Sequence, residues 1–229
     1  MEKSIFNSEP LDNSEEHNPT SENFTAKTAR KMFVLRTLKP PNVERNLVKQ
    51  NLSTKAVYEL PFKVTVENKL RCFQYKVIHN ILPTNSNLYK MKLRTSPSCD
   101  HCSHPHGNLF HLLHDCPSTQ VFWQRVISWW NEKRSENVIL SALDILHGYK
   151  PESNTFQALN HYVIIAKYHI FLSWLNKTSP SFEIFSLLLN EKILCEHTIA
   201  FKNNTLRKFR AKWEALQLYV HELRQLSLS

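Results

Sequence analysis

Three cysteines and one histidine crowd into residues 99–116 of this chain. They run Cys99, two residues, Cys102, eight residues, His111, four residues, Cys116. A Cys-x-x-Cys turn aims two sulfurs at one point, and a second pair reached after a short loop closes a four-ligand shell. Tetrahedral Zn²⁺ accepts such a set, with Zn–S at about 2.3 Å and Zn–N at about 2.0–2.1 Å. The segment also holds His101, His104, His106 and His114. His101 lies inside the first turn, His104 and His106 follow Cys102 too closely for easy closure, and His114 diverges from Cys116 on a helical turn. Pro117 draws Cys116 out of helical geometry, so its thiolate folds back toward His111. The expected centre is one structural zinc on Cys99, Cys102, His111 and Cys116.

Four protein ligands leave no open position for water, which argues against a catalytic ion. Two readings compete: a redox Cys-x-x-Cys pair, which no strand-to-helix context precedes, and an accidental cluster of packed or solvated side chains, which four ligands at workable spacing argue against. Cys72 and Cys195 stand apart from the cluster and are expected as buried core thiols.

The rest of the chain reads as all-α, a helical domain carrying the small Cys-Cys-His-Cys knuckle. Only Gly107 and Gly148 occur among 229 residues, so hairpins and glycine-rich phosphate loops are disfavoured. Residues 1–24 hold one Lys and six acids and are expected to form a disordered acidic tail. Residues 25–64 read as a linker with a short helix at 27–37, broken by Pro40-Pro41. Residues 65–134 form the zinc-binding region, with helices over 66–82 and 118–133. Between them, Thr84 or Ser86 caps a short helix through Tyr89 and Met91. The C-terminal helical region, 135–229, should hold helices at 138–147 (closed by Gly148), 155–175, 182–201 and 205–226. The 155–175 segment is the most apolar and is expected at the centre. Its most apolar run, 162–175, is interrupted by Lys167 and His169 and is too short and too polar to span a bilayer. Five Cys and no recognised secretory leader point to a reducing compartment, so an intracellular protein, nuclear or cytoplasmic and not secreted, is expected.

Charge points to a partner. Beyond the acidic head, 28 basic and 14 acidic side chains leave a net +14, an electrostatic footprint suited to nucleic acid. Lys90, Lys92 and Arg94 lead into Cys99, and Arg207, Lys208, Arg210 and Lys212 interleave with Phe209 and Trp213. These seven cations are the candidate phosphate contacts. Phe209 and Trp213, four residues apart, read better as one buried helix face than as stacking platforms.

The string from Phe73, Gln74 and Tyr75 through His79, Ile81, Leu82, Thr84, Asn85 and Ser96 adds a further signal. With the four ligands, Leu112, Phe122 and Trp123, it resembles the zinc-binding region of reverse transcriptases. More closely, it resembles the C-terminal part of polyproteins from long interspersed (non-LTR, LINE-type) retrotransposons. The resemblance implies a non-catalytic, RNA- or template-handling fragment whose partners are RNA or an RNA/DNA hybrid and the remainder of such a polyprotein. The polymerases of that family use adjacent Asp residues to hold two metals. This chain has only Asp12, Asp100, Asp115 and Asp144, none adjacent, and no endonuclease segment is recognised. The second reading is a zinc-stapled helical scaffold that binds protein.

Overall fold

The computed structural model describes residues 42–135 and 137–213. The expected acidic tail, the 27–37 helix and the end of the last helix lie outside that range. Helices α1 (Asn42–Lys49), α2 (Thr54–Val64), α3 (Asn68–Ile78) and α4 (Asn85–Lys90) lead into the Cys/His segment, which contains one π-helical turn, His111–Asp115. Then follow α5 (Pro117–Arg134), α6 (Ala142–His147), a 3₁₀ turn (Asn154–Phe156), α7 (Gln157–Leu175), α8 (Phe182–Lys202) and a last helical stretch, 206–213. Among the described residues there is no strand, so the all-α expectation holds. None of these helices is long and apolar enough to cross a membrane.

Local chemistry sets the boundaries. Ser53 accepts from the Ala56 amide to start α2, and Thr84 accepts from Asn87 to start α4. Ser141 and Asp144 form a reciprocal capping box on α6. That box shortens the helix expected over 138–147. Residues 138–141 stay non-helical, and the Asn131 side chain satisfies both backbone groups of Val138, at 2.9 and 3.0 Å. Gly148 closes α6 at φ 108, where an added Cβ would strike Leu60. Helix α3 stops at Ile78, short of the expected residue 82, and Asn80 adopts φ 52 just beyond it.

Helix α7 is apolar around its whole circumference and buried along nearly its full length, packing against α2, α3, α8 and the π turn. Asn160, His161, Lys167, His169 and Ser173 are buried along it, and Lys167 and Asn160 tie it to neighbouring segments. Lys167 donates to Gln74 Oε1 at 2.6 Å and to the Leu146 carbonyl at 3.3 Å. Asn160 pairs with both backbone groups of Tyr149.

The structure departs from the expected partition in one respect. Residues 42–64 are not a linker: α1 and α2 bury Leu47, Val57, Leu60 and Val64. One contiguous core runs from Leu60 to Trp213, so the stretches 65–134 and 135–213 share it. The missed signal was the apolar spacing of Val57, Leu60 and Val64, masked by Pro61 inside the helix.

Candidate metal centre

The first pair of thiols sits on a tight turn. Cys99 accepts from the Ser103 amide at 3.0 Å and donates its own N–H to the His104 carbonyl at 2.8 Å, while Ser103 adopts φ 57. The turn is anchored from behind by Asn85, whose amide donates to the Ser98 carbonyl at 2.6 Å. Arg94 donates to Asn85 Oδ1 at 2.8 Å and forks onto both Asp100 oxygens at 2.6 and 3.1 Å. That guanidinium holds the Asp100 carboxyl below its usual range. Gly107 donates to Pro97 O at 2.7 Å and accepts from the Ser86 amide at 3.1 Å. A Cβ there would lie 3.0 Å from that same carbonyl and 3.1 Å from Asn85 Cβ, so any larger residue must push its neighbours back by a few tenths of an ångström.

The second pair is aligned by the π turn. On an α-helix, side chains five residues apart point about 140° away from each other. Here Cys116 N–H reaches the His111 carbonyl at 2.8 Å, an i to i−5 bond that widens the turn and brings positions 111 and 116 to one side. Cys116 then leaves the helix at φ −60, ψ 130, as the following Pro117 requires. Asn108 caps the segment by accepting from His111 N–H at 2.8 Å. The turn's carbonyls are taken by side chains of α5: Thr119 donates to Leu112 O at 3.0 Å and Trp123 Nε1 to Leu113 O at 2.8 Å.

The outcome is a compact donor set. One ligand atom from each of Cys99, Cys102, His111 and Cys116 lies within 4.8 Å of the others. Cys102 Sγ is 3.2 Å from His111 Nε2 and 3.9 Å from Cys116 Sγ. A zinc tetrahedron with the bond lengths given earlier places sulfurs about 3.8 Å apart and sulfur and nitrogen about 3.6 Å apart. The residues therefore fit the ion, through Nε2 of His111. Cys99, Cys116 and His111 are buried. Burial pushes the Cys99 thiol up to about 11, with Cys116 and Cys102 adding to the rise. Burial, then the neighbouring His104, lower His111 and keep the imidazole neutral, the form a metal takes.

The other histidines stand outside the group. His104 stacks on His111 with ring centroids 4.5 Å apart and planes 12° from parallel, a support the spacing did not suggest. His114 pairs with Asp115 at 2.7 Å.

The candidate phosphate contacts divide. Lys90, Lys92, Arg207, Lys208 and Arg210 are exposed. Arg94 is half-buried and spent on Asn85 and Asp100. Lys212 is a correction: its ammonium is interior, donating to the Val64 carbonyl at 2.6 Å and to Glu196 at 2.8 and 3.0 Å, beside His161 at 2.9 Å. Its position next to Trp213, which is fully buried and bonded to Glu196, carries it inward. Phe209 is buried as expected. Cys72 and Cys195 are exposed and not core thiols; each falls on the outer face of its helix.

No curated protein is significantly similar to the chain. Residues 45–123, which include α2, α3, α4, the knuckle and the first part of α5, match the family described as zinc-binding in reverse transcriptase.

Proposed function

We propose that this chain is a non-catalytic, zinc-stabilised nucleic-acid-binding module, an RNA- or template-handling C-terminal fragment of a non-LTR retrotransposon reverse transcriptase. The observation that carries the reading is the four-ligand cluster, which falls inside the matched segment and fits Zn²⁺. The zinc would act by folding: it ties the 99–103 turn to the π turn, and its binding energy stabilises the domain. The exposed cations Lys90 and Lys92 precede the knuckle, and Arg207, Lys208 and Arg210 lie on the last helical stretch; all five are suited to phosphate neutralisation. Each described aspartate has a structural partner: Asp100 holds Arg94, Asp115 holds His114, and Asp144 caps α6. This supports a binding role over a two-metal polymerase centre in this chain.

The test is a salt series of zinc-loaded protein with single-stranded RNA. Affinity should fall steeply as salt rises, and removing Lys90 and Lys92 should lower the slope by about one per lost phosphate contact. Binding that is absent at low salt, or indifferent to salt, would sink the reading.

A specific surface favours a second reading, a protein-binding scaffold. Between α2 and α3 runs an apolar groove of about 400 Å³ lined by Tyr58, Phe62, Tyr75 and Ile81. Phe62 and Ile81 are 66% and 57% exposed. Salt-insensitive capture of a protein partner, lost in Phe62→Ser, would favour this alternative.

A further inference from the structure

A second groove lies beside the metal centre, with a volume of about 390 Å³, inside the range of small-ligand sites (~300–1,000 Å³). Its floor is apolar, made by Leu47, Val77, Ile78 and Leu109, all buried. Its polar lining has an unusual composition: four carboxamides, Asn46 from α1, Gln50 just after it, Asn80 after α3, and Asn108 before the π turn. Lys90 supplies a cation and Phe110, 40% exposed, an aromatic face.

Three of these amides are not used to hold the fold together. Among the described residues, no hydrogen bond engages the side chains of Asn46, Gln50 or Asn80. Asn108 commits its Oδ1 to the His111 amide and keeps its Nδ2. His147, also in the lining, has a buried Nδ1 without a partner. The four carboxamides are exposed to water, so their donors and acceptors stand free to exchange solvent for a ligand laid over the apolar floor.

We propose that this groove receives one unpaired nucleobase of a single-stranded nucleic acid. A carboxamide places a donor and an acceptor side by side, as a base edge does, and Asn and Gln pair with bases in this bidentate way. The Phe110 ring offers a face for the base, and Lys90 neutralises the adjoining phosphate. An apolar peptide would leave the amides unpaired, and a small anion would meet only one cation. The inference deepens the nucleic-acid reading above and rests on it.

The experiment uses the zinc-loaded full chain with single-stranded oligonucleotides carrying 5-iodouracil, in parallel RNA and DNA arms that identify the backbone. Photocrosslinks should map to the peptide containing Phe110 or to those containing Asn46, Gln50 or Asn80. Asn46→Ala with Gln50→Ala should weaken binding about 5–10-fold, as expected for one or two lost hydrogen bonds, while the salt slope stays unchanged because no phosphate contact is touched. Zinc content and helicity of the variant verify that it folds; the crosslink map on the unaltered chain stands without it. Binding that is tight and equal in both proteins, with crosslinks elsewhere, overturns the groove but leaves the nucleic-acid reading intact. No oligonucleotide bound by either protein at any salt overturns both.

Discussion

Arg94 forks onto Asp100 across the base of the metal turn, with two hydrogen bonds of 2.6 and 3.1 Å. The same guanidinium reaches Asn85, which holds the Ser98 carbonyl. The basic residue nearest the knuckle thus serves the geometry of the first two thiols.

Replacing Arg94 by Ala should therefore act through the metal. The pair is about one third exposed on each side, so its direct stability contribution is about 1 kcal/mol or less. Loss of an outer-shell support should nonetheless cost about 10-fold in zinc affinity, read by competition with a chelator. Arg94→Lys should recover only part, because an ammonium cannot fork. An unchanged zinc affinity in Arg94→Ala would refute this role.

Metal content follows directly from the donor set. The wild-type chain should hold one zinc by native mass spectrometry, and Cys102→Ser should hold almost none and show reduced helicity. Because burial raises the free Cys99 thiol to about 11, loading must expel protons. Zinc affinity should thus fall as pH drops from neutral toward 5, with proton release visible by calorimetry in buffers of different ionisation enthalpy.

Gly107→Ala probes the closeness of packing behind the turn. A Cβ 3.0 Å from the Pro97 carbonyl and 3.3 Å from Cys99 Cα meets backbone on two sides, which cannot rotate away. The expected cost is about 1–3 kcal/mol, seen as a lower Tm and weaker zinc retention together. A drop in neither would show that the loop yields freely.

The buried group around Lys212 sets the acid limit of stability. Burial would raise Glu196, but His161 and Lys212 outweigh it and hold the carboxyl at about 2. Its contribution is present above about 4.5 and is lost as pH falls toward 2. His161, lowered to about 4 first by burial and then by Lys212, stays neutral when folded, so protonation of the unfolded chain drains stability between 6.5 and 4. Both signs agree. Tm should decline from pH 7 to 4 through His161 and further below 4.5 through Glu196. Glu196→Gln should remove only the second decline while costing about 3 kcal/mol at pH 7, since Lys212 is left buried without a carboxylate.

Much of this was legible in the residues themselves. Zinc chemistry requires soft donors at short spacing, so Cys99, Cys102, His111 and Cys116 could be singled out one by one, with the remaining histidines set aside on geometry. Helices with a strong apolar stripe or a clear cap, such as α4 at Thr84 and α7 through its continuous hydrophobicity, were equally plain. Local signals of this kind depend only on neighbours along the chain.

Other features depend on contacts between distant segments, and these only the tertiary structure decided. A π turn is favoured here because Thr119 and Trp123, on the following helix, accept the burden of its free carbonyls. Lys212 looked like a solvent cation until Glu196, His161 and the Val64 carbonyl, from three other elements, met it inside. Cys72 and Cys195 looked like core thiols, yet the phase of each helix turned them outward. Sequence fixes which donors a residue carries; whether they face water, a metal or another side chain is set by how the helices pack.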